Sequence, residues 1–316
     1  MVYEIVTQDP PKVKSENVEV VKLNADPVSL NENYIKSYVI IGKEGRVLVD
    51  PGPANAHENI IDSLKAIGLM PKELDAIFLT HIHLDHAGGA SKLAEECNCK
   101  VYVHPKGLPH LKDPSKLNEA AKRTLGKEIF EIYGPMEPIN ENKLVQTEDN
   151  NTYTFKDVSV KVVFTPGHAP HHQAILANTV LFPGDALGEV TTWQGAYTPT
   201  TPHRVIVPML IDSAMKLASL RVTAAGYTHR GFVVGKEAFV TEAMGSVEQI
   251  RTWIQVITVR QKECKDDVWC YYEKLLNADP LLDKLHRTGE IEKSKLLKNS
   301  IRMSIDGIYK YVTGIK

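Results

Sequence analysis

No run of apolar residues in this chain approaches the ~20 needed to cross a bilayer. A net charge of -2 leaves no basic excess of the kind a nucleic-acid footprint requires. Cysteine is scarce: Cys97, Cys99, Cys264 and Cys270 are the four. The second pair lies six positions apart, outside the two-to-four spacing of a structural zinc site, so all four are expected to be thiols. There is no Gly-x-Ser-x-Gly elbow for a serine hydrolase, no Walker loop and no dinucleotide fingerprint. The start, MVYEIVTQDP, has neither the basic opening nor the apolar centre of a signal peptide, which makes a cytoplasmic location the expectation.

With 316 residues, 43% hydrophobic and 24% charged, the chain can build one large domain or two moderate ones. Tyr38–Ile41 and Arg46–Val49 read as strands around the turn Gly42-Lys43-Glu44-Gly45, a hairpin signature. A helical stripe over Asn59–Leu69, a buried strand at Leu74–Leu79, a helix at Ala90–Cys97 and a strand at Val101–Val103 follow the α/β pattern. Pro105–Asn150, with one helical piece at Ser115–Leu125, is long enough to be a lid or substrate-binding insertion. Strands are expected at Thr152–Phe155, Val158–Phe164, Gln173–Leu176, Thr179–Phe182 and Val222–Gly226, with a helix at Val205–Leu220. From about Ala243 the pattern is helix alone. Ile250, Trp253, Ile254, Ile257 and Val259 make one stripe, Trp269, Tyr272, Leu275 and Leu276 a second, and Leu297, Ile301, Ile305, Ile308 and Val312 a third. These faces need a partner, which a homodimer could partly supply. The expected division is 1–242 for a catalytic domain, with its insertion at about 105–150, and 243–316 for a helical extension packed on it.

The densest chemistry is Thr80-His81-Ile82-His83-Leu84-Asp85-His86-Ala87-Gly88, directly after an apolar strand. A core rejects adjacent polar side chains that lack partners, whereas zinc accepts both imidazole and carboxylate. On an extended segment His81 and His83 point the same way, and a turn after Leu84 would turn Asp85 and His86 toward a second metal. Other polar groups stand at strand ends: His168 in Thr165-Pro166-Gly167-His168, Asp185 in Pro183-Gly184-Asp185, and His229 in Tyr227-Thr228-His229. Strand ends are where α/β proteins place their sites.

The run His81-x-His83-x-Asp85-His86, followed by Gly167-His168, Gly184-Asp185 and a late His229, resembles the metallo-β-lactamase superfamily. The resemblance covers about Tyr38 to His229, with Asp50 at the family's early strand-end aspartate. It implies a four-layer αββα sandwich with an α-helical C-terminal extension. It also implies that His81, His83 and His168 hold one metal, that Asp85, His86 and His229 hold a second, and that Asp185 bridges both. Asp50 would hydrogen-bond a ligand histidine or steady the loop. Two divalent metals, zinc first and iron or manganese as alternatives, would generate a metal-bound hydroxide near neutral pH. Asp185 and Asp85 favour the metals electrostatically, and Asp85 could guide a proton to the leaving group.

Within that resemblance, His83 stands where the flavo-diiron branch has glutamate, and Ala186-Leu187-Gly188 replaces the tyrosine found after the bridging aspartate in acyl-homoserine lactonases. The reading is a hydrolase of a small-molecule thioester, ester or lactone, broadly similar to glyoxalase II-like members, acting on neither nucleic acid nor membrane. A mononuclear-iron persulfide dioxygenase and a nucleotide phosphodiesterase of the same fold are the alternatives; Lys106, Lys112 or Arg204 could anchor a phosphate for the latter. His171, His172, Trp193 and Tyr197 are candidates for the pocket or for contacts to ligands. His104, His110, Tyr271 and Tyr272 are further candidates to approach substrate.

Overall fold

A computed structural model describes residues 11–30, 34–190 and 197–315. Its first sheet comprises β1 (Lys12–Ser15), β2 (Val18–Asn24), β3 (Lys36–Ile41), β4 (Arg46–Val49), β5 (Ala76–Phe78), β6 (Lys100–Val103) and β7 (Leu144–Gln146), paired in that order. The pairings from β1 to β4 are antiparallel and those from β4 to β7 parallel. The second sheet contains β8 (Thr152–Phe155), β9 (Val158–Phe164), β10 (Gln173–Ala177), β11 (Val180–Phe182), β14 (Ala224–Tyr227) and β15 (Gly231–Val234), in the order β15-β14-β11-β10-β9-β8. A short ribbon of β12 (Glu189–Val190) and β13 (Tyr197–Thr198) stands apart.

Period-two alternation explains why the sheets stack. Val18 and Val20, Tyr38 and Ile40, and Val47 and Val49 face Val158, Val160, Val162, Ile175 and Phe182 across the central layer. The opposite parity of the first sheet, Leu23, Val39, Leu48 and Ile77, packs on α1 (His57–Ala66) and α3 (Ala90–Cys97). Val163, Ala174, Leu181 and Ala225 of the second sheet pack on α7 (Val207–Ala218) and α8 (Lys236–Cys264). Helix, sheet, sheet, helix is the expected αββα sandwich.

Between α1 and α3 lies the one-turn α2 (Leu84–Ala87). The insertion is more helical than its sequence suggested. Besides α5 (Ser115–Leu125), it forms α4 (Leu108–Lys112) and α6 (Lys127–Tyr133), each too short for its periodicity to stand out. The strands β1, β2 and β15 were likewise not anticipated.

The tail continues with α9 (Val268–Leu276), α10 (Pro280–Arg287), α11 (Glu290–Lys293) and α12 (Lys295–Thr313). Asp279, expected to mark a break, caps α10 by accepting from the amides of Leu281 and Leu282. Leu297, Ile301, Ile305 and Ile308 of α12 are all at most 2% exposed, each contributing about 1.5–3 kcal/mol through burial. The α12 stripe is therefore covered within a single chain, although Val259 of α8, at 68% exposure, is not. No helix among the described residues is long and apolar enough to cross a membrane.

The cysteines depart from expectation: Cys97 is bonded to Cys99 and Cys264 to Cys270. Positive-φ backbone at Asn98 and Lys265, just past the ends of α3 and α8, turns the chain back. The Cα atoms then lie 5.1 and 5.4 Å apart, within disulfide range.

Candidate metal centre

β9 runs antiparallel to β10, β10 antiparallel to β11, and β11 parallel to β14. The C-terminal ends of β9, β11 and β14 therefore share one edge, and there stand His168, Asp185 and His229. β5 of the facing sheet delivers His81 and His83. The turn comes one residue earlier than its sequence implied, because His83 already precedes the first turn of α2, which presents Asp85 and His86.

Two sets of ligand-type atoms result. His81, His83, His168 and Asp185 place one atom each within 4.8 Å of one another, as do Asp85, His86 and His229. His83 Nδ1 is 3.0 Å from both His81 Nε2 and His168 Nε2. Asp85 Oδ2 is 3.5 Å from His229 Nε2 and 3.8 Å from His86 Nε2. Asp185 faces both sets: Oδ2 lies 3.5 Å from His168 Nε2, while Oδ1 lies 3.3 Å from His86 Nε2 and 4.0 Å from His229 Nε2.

The far nitrogens decide what these near ones can do. Asp50 accepts from the Thr80 amide at 2.7 Å and from Thr80 Oγ1 at 2.6 Å, and its Oδ2 takes the Nδ1 proton of His86 at 2.9 Å. Thr80 has spent its proton on Asp50, so at 3.1 Å its oxygen accepts from His81 Nδ1. His168 Nδ1 donates to the Thr200 carbonyl at 3.0 Å. In the neutral rings the Nε2 atoms of His81, His86 and His168 are thereby the ones that carry the lone pair. Asp50 itself sits in left-handed backbone at φ 51, a conformation aspartate tolerates better than most residues and one held here by three hydrogen bonds.

Imidazole nitrogens converge to 3.0 Å in the first set, and His86 Nε2 is fully buried without a hydrogen-bond partner. Such an arrangement fits a divalent cation in each set. Burial, reinforced by neighbouring histidines, holds His81 and His83 well below the usual imidazole range. Burial lowers His168 as well, against the pull of Asp185. Burial also opposes charge on His86, but Asp185, Asp85 and Asp50 outweigh it and raise that group well above its ordinary value. Burial disfavours charge on Asp185 too, yet His86 and His168 keep it well below the carboxylate range.

Of the remaining candidates, His172 is buried behind the site. Its Nε2 accepts from the Asp185 amide at 3.1 Å, and its Nδ1 donates to Thr165 Oγ1 at 2.8 Å. Gly184, at φ 52, permits this: a Cβ there would lie 2.6 Å from His172 Nε2 and 2.9 Å from Thr80. His171 and His110 line the cavity, and burial pushes His171 down to about 3. Tyr197 is packed against Gly245 in the core rather than along the cavity, and Trp193 lies outside the described residues. His104 is buried against Phe164 and accepts from the Lys106 amide. Lys112 pairs with Glu141, and Arg204 lines the cavity. Tyr271 and Tyr272 are committed to Lys265 and His286 within the tail.

Sequence reasoning missed Thr200, whose hydroxyl donates to the Asp185 carbonyl at 2.6 Å while its own carbonyl fixes His168. It missed Tyr34, whose ring covers His229 at 4.7 Å, and Glu189, buried at the cavity wall with Oε2 accepting from Ser300 of α12. Thr80 alone had a signal, its place beside His81. The cavity above the site has a volume of about 770 Å³.

The sequence profile described as the Metallo-beta-lactamase superfamily matches residues 30–229. A metallo-beta-lactamase fold-containing protein of Sulfurisphaera tokodaii, ST1585, is 31% identical over 203 residues, covering 63% of this chain and 74% of that one. The crystal structure of ST1585 superposes with a TM-score of 0.63 at 28% identity over 73% of this chain and 86% of that one. A hydroxyacylglutathione hydrolase of Salmonella typhi is 26% identical over 282 residues, 87% of this chain and 93% of its own. TTHA1429 of Thermus thermophilus shares the fold across 94% of both chains, with a TM-score of 0.63 and 20% identity. Both the matched region and the order of the strand-end groups within it agree: the chain belongs to the metallo-beta-lactamase superfamily.

Proposed function

We propose that the chain is a dinuclear metal-dependent hydrolase of a small-molecule thioester, ester or lactone. His81, His83, His168 and Asp185 would hold one divalent metal; Asp85, His86 and His229, with Asp185 shared, would hold the other, zinc being the expected ion. One observation carries the reading: the two carboxylate oxygens of Asp185 face the two ligand sets separately. The hydroxyacylglutathione hydrolase relatives that span the tail as well as the sandwich support an acyl-transfer chemistry.

Metals bound there would supply the Lewis acidity that ionises water near neutral pH and polarises an acyl oxygen. The protein's own groups do the rest. Asp50 and Thr200 fix the tautomers of His86 and His168, and His172 holds the backbone of Asp185. The Asp85 side chain is 19% exposed, which places it to take a proton from the attacking water and pass it to the leaving group. Tyr34 shields His229 from bulk water. In the net reaction a water oxygen bonds to the acyl carbon, the bond to sulfur or oxygen breaks, and the proton goes to the departing thiolate or alkoxide.

Elemental analysis of purified protein, paired with a screen across thioesters, lactones and phosphodiesters, tests the reading. Hydrolysis of a thioester, ester or lactone together with bound divalent metal is the expected result. Full activity in Asp185→Ala would sink the dinuclear assignment, and turnover confined to phosphodiesters would sink the substrate class.

A further inference from the structure

The cavity wall has a composition that the metal centre does not require. Leu117, Ala121 and Leu125 recur every four residues along α5 and line the cavity, yet α5 has no fully buried residue. The stripe packs on the edge of the core but stays half-buried, and its open side shares the space with Ile129 and Tyr133 of α6 and Leu296 and Met303 of α12. Lys116, Arg123 and Arg204 line that space too, and among the described residues none of the three has a salt-bridge partner. Nearby on α4, α6 and α12, Lys112, Lys127 and Lys295, which do not line it, are paired with Glu141, Glu131 and Glu128.

The carboxylates that line the cavity are Asp85, Asp185 and Glu189. Two belong to the candidate metal sets, and the third accepts from Ser300. None is turned to the three cations. A volume of about 770 Å³ is the size of a small-molecule site, too small for a folded partner. From this complementarity we infer that the cavity takes an amphiphilic anion: an apolar chain along α5, α6 and α12, joined to a carboxylate or phosphate held by Lys116, Arg123 and Arg204. The inference rests on the hydrolase reading only for what happens next, since it makes the substrate an acyl ester or thioester of that class.

Binding separates the two ideas. Calorimetry on the metal-loaded protein would compare octyl phosphate, nonanoate and neutral octyl glucoside. Both anions are expected to bind at least about tenfold more tightly than the neutral amphiphile, and whichever binds tighter identifies the headgroup. Exposed ion pairs contribute modestly, so Arg123→Glu combined with Arg204→Glu is expected to erase about five- to tenfold of that preference. Metal content and helicity should be unchanged. Because the metals themselves attract anions, this charge-reversal arm is the decisive one. A preference for anions that survives it, or equal binding of the neutral probe, overturns the inference. So would butyl phosphate binding as tightly as octyl phosphate. If anion preference holds and no acyl compound is turned over, the hydrolase reading fails alone; brisk hydrolysis of neutral esters without anion preference sinks the inference alone.

Discussion

The floor of the cavity and its wall are held by opposite physics. On the floor, His81, His86, Thr80 and His172 are completely buried, and their far-side polar atoms are tied to Asp50, Thr80, Thr165 or the Asp185 amide. A buried polar group must be satisfied, and each bond made to that end aims another atom at the centre. On the wall, α5 presents half-buried alanine and leucine beside exposed, unpaired cations. Nothing there is over-determined. A preorganised floor suits chemistry whose geometry cannot vary, and a loosely specified wall suits recognition of a chain by area and charge.

Five substitutions test that contrast, taken from the largest expected effect. Asp185→Ala removes the group facing both ligand sets, so metal content should fall and hydrolysis should drop by at least the roughly 10²–10³-fold seen for loss of a key electrostatic group. Elemental analysis with kinetics reads both. Asp50→Asn leaves all seven ligand-type residues in place but reverses the polarity offered to His86 Nδ1. Metal affinity, measured by chelator competition, should weaken about 10–100-fold; unchanged affinity would show that the floor is less interdependent than its hydrogen bonds imply.

A third test asks whether the wall supports the floor. Ser304 of α12 donates to the Pro199 carbonyl at 2.6 Å and accepts from the Thr201 amide at 3.2 Å. A Cβ on Gly307 would lie 1.8 Å from the Thr201 carbonyl. Those contacts brace the segment whose Thr200 holds His168 and Asp185. Ser304→Ala should cost about 1–3 kcal/mol of stability in denaturant unfolding, and Gly307→Ala should lower stability and metal affinity together. Stability lost with affinity intact would uncouple wall from floor.

The smallest effect lies away from both regions. Asp157 accepts from the amides of Glu44, Gly45 and Lys43 in the β3–β4 turn, and those bonds lower its carboxyl to about 2. Its folded pKa is depressed, so its stabilisation is complete above the unfolded value near ~4 and is lost as pH falls from there toward 2. Asp157→Asn should lower the melting temperature slightly at neutral pH and flatten its dependence over that acidic window. Metal affinity should not change.

Much of the sandwich is legible in the chain because β-strands with period-two valines and isoleucines, ended by Pro-Gly turns, leave few alternatives. The seven candidate ligands were legible for a related reason: no core accepts His81, His83 and His86 so close together without partners, and the same polar-group-at-strand-end pattern recurs at His168, Asp185 and His229. Thr200 and Tyr34 left no such mark. A threonine in Thr198-Pro199-Thr200-Thr201 or a lone tyrosine has many ordinary uses, and only its neighbours in space distinguish it. Tyr197 shows the converse, an aromatic near Asp185 in sequence that packs against Gly245 instead. The disulfides escaped because spacing alone does not report the positive-φ turns at Asn98 and Lys265 that bring each pair together.

What the sequence determined by itself is therefore the identity of the groups and the layers that carry them, since both follow from local pattern and the cost of burying unpaired polar atoms. What tertiary structure decided is how those groups are used: which nitrogen of each histidine faces inward, that Asp185 stands between two sets, and that three cations share a cavity with a half-buried apolar stripe. These depend on contacts between residues well separated in the chain, as from His86 to Asp50, from His168 to Thr200 and from Ser304 to Pro199, which local periodicity does not encode.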